Sequence, residues 1–467
     1  MANATMNFGD PEPPLLYSGQ VLHKAKSEAK ASERLDKDIF ASLLKAKYYL
    51  PLNATVRSIG LDPFYLFYLL PTQMLIYKSN HKKGGSSLKI DATGKLVRRL
   101  DRPNGEISSH VFLYEGVLHV SGTVVPVLQW MSECQTASHI SFMLSEWVRL
   151  GAPVPAECVS DYSLGLLNGI ARAFNGVSRL KDYVESCWLS QQGELSSSQH
   201  FSCFLRLDIN HLVKTVSSFP SIQSRGSAFK QFYVRVICSL ILAETLDDAA
   251  DILKAIATVS KSESCDQCKI ATSFLRDLIS QSVVEEGTDD DDAKISTKWE
   301  EEGDEDMDTS PFLWAQRLIK DTLASIKSSA VADKPDPNPL YCPDLTDRIL
   351  LLFRHFPLWS ASYARHIGCS RPTASSAVVE SDFNDLKNRV LKGYTAPLRI
   401  DDFLRLHVDS LEGTLKLAAA PKVNIVKKPE PAAAEKESKV FLVKKEQAED
   451  HITEEVQLSC LPTRRSH

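Results

Sequence analysis

Short apolar runs between residues 86 and 208 have the character of β-strands. Residues 86–91 alternate between polar and apolar side chains and end on an acid. Residues 111–120 and 123–129 are apolar and β-branched, and the Ser-Gly pair between them favours a hairpin turn. Two further runs, at 156–161 and 204–208, predict short strands that also end on an acid.

Elsewhere the apolar residues recur with helical spacing. The pattern predicts helices over residues 22–46, 138–150, 163–174, 212–218, 229–244, 246–259, 270–284, 312–328, 345–355, 373–392 and 400–412. Ser163 is the expected N-cap of the third of these. The most apolar stretch, 59–77, is interrupted by Asp62 and two prolines and is shorter than the ~20 apolar residues of a membrane span, so it predicts a buried helix and turn.

The order of these elements predicts an α/β fold with a mixed-sheet core and a large all-helical insertion. The expected segments are a flexible tail (1–21), a helical N-terminal segment (22–85), the sheet core (86–210), the insertion (211–372), C-terminal helices completing the core (373–417) and a disordered tail (418–467). Within the insertion, residues 285–308 hold 13 acids and two lysines and predict a disordered acidic loop.

Charge is distributed unevenly along the chain. The formal net charge of −5 argues against a nucleic-acid partner when taken as an average. The acidic loop alone carries −11, so the remainder carries +6, which permits contact with DNA. The loop would then compete with DNA for the basic surface.

Cysteine usage and the absence of known motifs exclude several classes. Ten cysteines in 467 residues are too few and too irregular for a disulfide framework, and no signal peptide opens the chain, which predicts an intracellular protein without a membrane segment. Cys265 and Cys268 form an isolated C-x-x-C without a second pair, which indicates a structural thiol pair more than zinc. No glycine-rich phosphate loop suggests a nucleotide cofactor.

Three acids occupy positions where metal chemistry is plausible. Asp91 and Asp161 end predicted strands, and Glu380 lies near the start of a predicted helix. Carboxylates are ligands for Mg²⁺ or Mn²⁺, and a pair of such ions can drive phosphodiester transfer. Each acid alone also fits a structural role: Asp91 as a turn former, Asp161 as a helix cap and Glu380 as a solvated helix residue.

The segments SSLKIDATG, SDYSLGLLNGIARAF, CFLRLDINH and VVESDFNDLKNRVL together resemble the Mutator-like (MULE-type) DDE transposases and genes domesticated from them. The resemblance covers roughly residues 50–412. It implies an RNase H-like core in which Asp91, Asp161 and Glu380 are the catalytic and metal-binding acids. It further implies a nuclear protein that binds DNA.

The resemblance is incomplete around the fifth predicted strand. The family has a C-x-x-H-like element after the second acid. Cys203 and His211 are the nearest matches here, but their spacing is wider. The simpler role for His211 is that of a histidine hydrogen-bonded within the core. Asp208 is a rival second carboxylate. Basic residues that would contact the DNA backbone, or equally form solvated faces, are Lys82, Lys83, Arg371, Lys387 and Arg389.

Three hypotheses follow. The first is a DDE transposase-like enzyme in which a Mg²⁺-bound water cuts DNA and the freed 3′-OH attacks a target strand. Such an enzyme would be able to act as a homo-oligomer. The second is a catalytically inactive, transposase-derived module that binds DNA or protein. The third is an unrelated helical scaffold, in which the three acids would lie far apart. No zinc-finger domain of the kind that family members carry ahead of the core is visible in the sequence.

Overall fold

The computed structural model describes residues 19–32, 34–84, 86–102, 104–120, 122–194, 201–281, 308–327 and 336–419. Three predicted segments fall largely outside this range. They are the N-terminal tail up to residue 18, the acidic loop up to residue 307 and the C-terminal tail from residue 420.

A seven-stranded mixed sheet forms the centre of the described structure. Its strands are β1 (Val56–Leu61), β2 (Phe64–Tyr68), β3 (Ser87–Thr93), β4 (Phe112–Val120), β5 (Thr123–Ser132), β6 (Glu157–Ser160) and β7 (Phe204–Leu207). Their order across the sheet is β1-β2-β5-β4-β3-β6-β7. The neighbouring pairs β1–β2, β2–β5, β5–β4 and β4–β3 are antiparallel, whereas β3–β6 and β6–β7 are parallel. The predicted α/β fold with a mixed sheet is therefore confirmed.

The β1–β2 hairpin is a strand pair that the sequence analysis missed. The prediction of a buried helix and turn over residues 59–77 is wrong for its first half, and only the second half belongs to a helix. β2 lies between β1 and β5, and four of its five residues are buried. A strand covered on both faces loses the alternation of polar and apolar residues, so its pattern cannot be told from that of a buried helix.

Helices surround the sheet and fill the connection from β7 to the C-terminal part of the core. The helices are α1 (Gly19–Ser32), α2 (Ile39–Tyr48), α3 (Pro71–Lys82), α4 (Ala137–Arg149), α5 (Leu164–Asn175), α6 (Leu180–Gln192), α7 (Ile209–Ser217), α8 (Pro220–Gln223), α9 (Ser227–Leu242), α10 (Leu246–Lys261), α11 (Cys265–Gln281), α12 (Ser310–Lys327), α13 (Pro343–Leu352), α14 (Phe356–Trp359), α15 (Ala361–His366), α16 (Ala377–Asp385) and α17 (Ile400–Ala419). A 3₁₀ turn (Phe353–His355) precedes α14, and a π-helical turn (Leu386–Val390) follows α16. Every described element between β7 and α16 is helical.

Helices α4 and α5, which follow β5 and β6 in the chain, pack closely against each other. A Cβ atom on Gly169 of α5 would lie 2.6 Å from Cγ2 of Ile140 in α4. Only glycine permits this approach of the two helices. Two C-terminal helices cover the sheet directly: α16 packs against β3 and β4, and α17 packs against β5.

None of the helices within the described ranges combines the length and apolar content needed to cross a bilayer.

Candidate active site

Four acids form a row across four neighbouring strands on one face of the sheet. Asp91 of β3 is paired with Glu115 of β4. The register aligns Ile90 with Ser160 and Ser160 with Leu207, so Asp161 and Asp208, one residue further on, continue the row. Neighbouring strands lie ~5 Å apart, and paired residues share a face of the sheet. We call Glu115, Asp91, Asp161 and Asp208 the carboxyl row.

The carboxylate of Asp91 is at the centre of this row, and its charge is poorly compensated. Burial and, next, the carboxylate of Asp161 raise the pKa of Asp91 to about 7. Glu380 raises the pKa further, while the N–H of Ala92, 2.6 Å from Oδ1, and His211 lower it. A pKa this high means that a second negative charge beside Asp161 is unfavourable without a cation.

Asp161 follows β6 directly and has a free oxygen. Burial raises its pKa, and His211 lowers it. The backbone N–H of Ser163 donates to its carboxylate, but its Oδ1 is buried with no hydrogen-bond partner among the described residues. The predicted cap role belongs instead to Ser163, whose hydroxyl accepts from the N–H of Leu166 at 3.4 Å. The orphaned oxygen of Asp161 is thus available to a ligand.

His211 and Glu380 bring two helices together beside the row. The Nε2 atom of His211 in α7 lies 2.5 Å from Oε1 of Glu380 in α16. Both side chains act electrostatically on Asp91 and Asp161, which places all four groups in one site. The three acids predicted from the sequence are therefore neighbours, and the expectation of the helical-scaffold hypothesis, that they lie far apart, is not met.

Asp208, the rival second carboxylate, has both oxygens engaged by the backbone. Its Oδ1 accepts from the N–H groups of Asn210 and His211, at 2.7 and 3.4 Å, and so caps α7. Its Oδ2 accepts from the N–H and hydroxyl of Ser376 at 2.7 and 2.6 Å, just ahead of α16. Asp208 therefore clamps the start of α7 to the start of α16. This arrangement favours Asp161 over Asp208 as the ligand-binding carboxylate.

The other sequence-predicted residues are spread over several places. Cys203 and His211 lie at opposite ends of β7, and the N–H and carbonyl of Cys203 are bonded to the amide of Asn175. Lys82 and Lys83 are exposed at the C-terminal end of α3, and Arg371 is exposed in the loop before α16. Lys387 and Arg389 are exposed in the π-helical turn, where Arg389 is paired with Asp385 at 2.8 Å. The structure brings none of these basic residues to the carboxyl row.

Sequence reasoning missed Glu115, the member of the carboxyl row on β4, and its acidic neighbour Asp382. Glu115 is fully buried, and neither carboxyl oxygen has a hydrogen-bond partner that meets standard geometry among the described residues. Burial and the neighbouring Asp382 of α16 raise its pKa well above the usual value. His407 lies 3.8 Å away and is bonded to Tyr68 Oη at 2.7 Å. The only signal in the sequence was one acid within an apolar strand.

The chemistry of the site fits a divalent cation, although its side chains are not preassembled around one. Within the described ranges, no group of three or more His, Cys, Asp or Glu side chains is arranged as it stands to hold a metal ion. Two observations nevertheless suit such an ion: the unpartnered oxygen of Asp161, and the raised pKa of Asp91, which comes first from burial and then from repulsion by Asp161. Hard carboxylate oxygens are the donors that Mg²⁺ and Mn²⁺ prefer.

Fold and site together define an α/β protein with a carboxylate-rich site at the ends of its parallel strands. The chain is 32% identical over 444 residues to the 120.7 kDa protein in the NOF-FB transposable element of Drosophila melanogaster. The match covers 92% of this chain and 41% of that protein. The chain thus spans about two fifths of the length of this curated relative.

Comparison with solved structures adds a weak likeness. The chain resembles a chain of the Drosophila P element transposase strand transfer complex, with a TM-score of 0.31 and 12% identity, over 84% of this chain and 98% of that one. A TM-score this low supports no conclusion about the fold or the function of this chain. No family model matches the chain.

Proposed function

We propose that this protein is derived from a DDE transposase of the Mutator-like type and cuts DNA in a metal-dependent reaction. The carboxyl row with Glu380 beside it is the observation that carries the proposal, because mutually repelling buried acids suit a bound cation. The strand order β5-β4-β3-β6-β7 and its directions agree with an RNase H-like core. Descent from a transposable element is supported by the NOF-FB relative.

The residues of the chain have separate tasks in this proposal. Asp91, Asp161 and Glu380 would hold Mg²⁺ or Mn²⁺. The ion would supply charge neutralisation and an activated water for phosphodiester cleavage. His211 holds Glu380 beside the row, and Asp208 fixes the two helices that carry His211 and Glu380. Strand transfer to a second DNA and a nuclear location extend the proposal.

The experiment compares wild type with Asp161→Asn in Mg²⁺ and Mn²⁺. Nicking of a supercoiled plasmid reports any phosphodiester cleavage, and titration calorimetry with Mg²⁺ reports binding. We expect nicking to depend on the metal and to fall at least 100-fold in Asp161→Asn. Asp347→Asn, which changes an exposed acid paired with Lys261 in the insertion, is the matched control and should retain wild-type activity.

The alternative is a catalytically inactive module that binds DNA or protein. The hydrogen bond between Glu380 and His211 favours this alternative, because it engages one of the three acids without metal. Equal nicking by wild type and Asp161→Asn, or none by wild type, would support the inactive module. Retention of a DNA duplex by that inactive protein in a gel-shift assay would then identify the DNA-binding form.

A further inference from the structure

One side chain of the helical insertion contacts the residue next to Asp161. The hydroxyl of Tyr162 lies 2.5 Å from Nδ1 of His355, 193 positions away in sequence. The two rings also pack edge to face, with centroids 5.4 Å apart at 86°. The contact joins the turn after β6 to the 3₁₀ turn ahead of α14, so the insertion touches the site.

His355 has few other ways to be held. It is 3% exposed, and burial lowers its pKa to about 3, so the ring is neutral. Its Nε2 has no hydrogen-bond partner among the described residues. The bond to Tyr162 is therefore the polar contact that orients the imidazole. Whichever of the two groups donates, the bond requires the Tyr162 hydroxyl.

The 3₁₀ turn that carries His355 is firmly supported. Phe353 stacks on Phe356 at 5.1 Å, and Trp359 packs edge-on against both rings. The carbonyl of Arg354 accepts from the hydroxyl of Thr309 at 3.1 Å. Such an aromatic cluster is a rigid base, so His355 can fix the position of Tyr162 rather than follow it.

Tyr162 in turn sits between two residues that matter for the site. Asp161 precedes it, and Ser163, whose N–H donates to the Asp161 carboxylate, follows it. Because Oδ1 of Asp161 has no partner, this short turn sets where the carboxylate lies. A ligand displaced by ~1 Å can cost ~100-fold in rate.

We propose that Tyr162 and His355 are positioning residues for Asp161, through which the helical insertion holds that carboxylate at the end of β6. This inference rests on the metal-dependent function proposed above. It assigns the insertion a part in the site as well as a place beside the core.

The test removes the hydroxyl alone. Tyr162→Phe keeps the ring packing, and Tyr233→Phe is the matched control, because its buried hydroxyl donates to the carbonyl of Leu340 at 2.6 Å within the insertion. We expect Tyr162→Phe to raise the Mg²⁺ concentration for half-maximal nicking about 10-fold, as loss of supporting contacts around metal ligands does. We also expect faster hydrogen exchange in peptides covering 158–166. Tyr233→Phe should change neither measurement.

His355 provides a second arm. His355→Phe should match Tyr162→Phe, and the double variant should be no worse than either, because the two changes remove one shared bond. His355→Asn keeps an acceptor near the position of Nδ1 and should restore most of the Mg²⁺ response.

Equal behaviour of Tyr162→Phe and Tyr233→Phe in an active protein would overturn the positioning role and leave the proposed function intact. A wild type that neither binds Mg²⁺ nor nicks DNA would overturn both, and any exchange difference would then reflect stability only.

Discussion

Glu115 gives the sharpest test of the electrostatics, through Glu115→Gln. This change keeps the shape of the side chain and, like the protonated acid, offers a hydrogen to Asp382. The wild-type acid is fully buried with a raised pKa, so the folded protein keeps a proton that the unfolded chain releases above its ordinary pKa of about 4.5. Wild-type stability should therefore fall as the pH rises, whereas the glutamine has no proton to lose.

The size of the effect follows from the number of protons. Above pH 5.5 the unfolded chain holds almost no proton on Glu115, whereas the folded protein keeps one up to the raised pKa of this carboxyl. One proton changes the free energy of unfolding by about 1.4 kcal/mol per pH unit. The stability of Glu115→Gln relative to wild type should thus increase by up to about 2.7 kcal/mol between pH 5.5 and 7.5. Asp91 and Asp161 titrate in both proteins, and their contributions cancel in the difference. Asp382, whose pKa burial raises to about 6, contacts the substituted side chain and also titrates in this range, so its contribution is part of the measured difference.

The assay is urea unfolding followed by circular dichroism at pH 5.5, 6.5 and 7.5. Glu412→Gln is the control, since it changes an exposed glutamate 3.5 Å from Lys416 and should show a difference that does not depend on pH. A constant difference between Glu115→Gln and wild type across the three pH values would refute the conclusion that Glu115 is protonated. The fully buried position would then need another compensating charge.

Two further comparisons separate structural from functional acids and test the helix packing. Asp208→Asn should destabilise the protein by about 2–3 kcal/mol in urea unfolding, because an amide nitrogen cannot accept from both Ser376 donors. Asp161→Asn should not lower stability, because it removes a charge that repels Asp91. Equal losses in the two variants would contradict these roles. Gly169→Ala should lower the free energy of unfolding by about 1–3 kcal/mol through the clash with Ile140. The control is Gly413→Ala on α17, which should be neutral or slightly stabilising because its new Cβ would meet no atom within 4 Å. A neutral Gly169→Ala would show that α4 and α5 can separate.

Local patterns predicted many of the elements. The hairpin of β4 and β5 followed from two β-branched runs around Ser-Gly, and α5 followed from its period and from Ser163 as N-cap. The β1–β2 hairpin could not be recognised, because β2 is covered on both faces and carries no alternation. Burial on both faces is a property of the tertiary structure, and it removes the signal that strand prediction needs.

The site was accessible in part. Asp91, Asp161 and Glu380 stood out through their places at element ends and through the family resemblance. The pairing of His211 with Glu380 was not accessible, because it depends on two helices separated by the whole insertion. The same holds for Tyr162 and His355, and for Glu115 beside Asp382. Contacts across such separations depend on sheet register and helix packing, which single-sequence periodicity does not contain.

The clamp at Asp208 explains how so long an insertion can coexist with a defined site. The insertion leaves the core after β7 and returns before α16, and Asp208 bonds to both of these points. The N–H of Ile209 also donates to the carbonyl of Ala374 at 3.1 Å. Exit and return are therefore fixed against each other at the edge where β3, β6 and β7 end. Changes within the described part of the insertion can then reach the carboxyl row through side-chain contacts such as that of His355 with Tyr162.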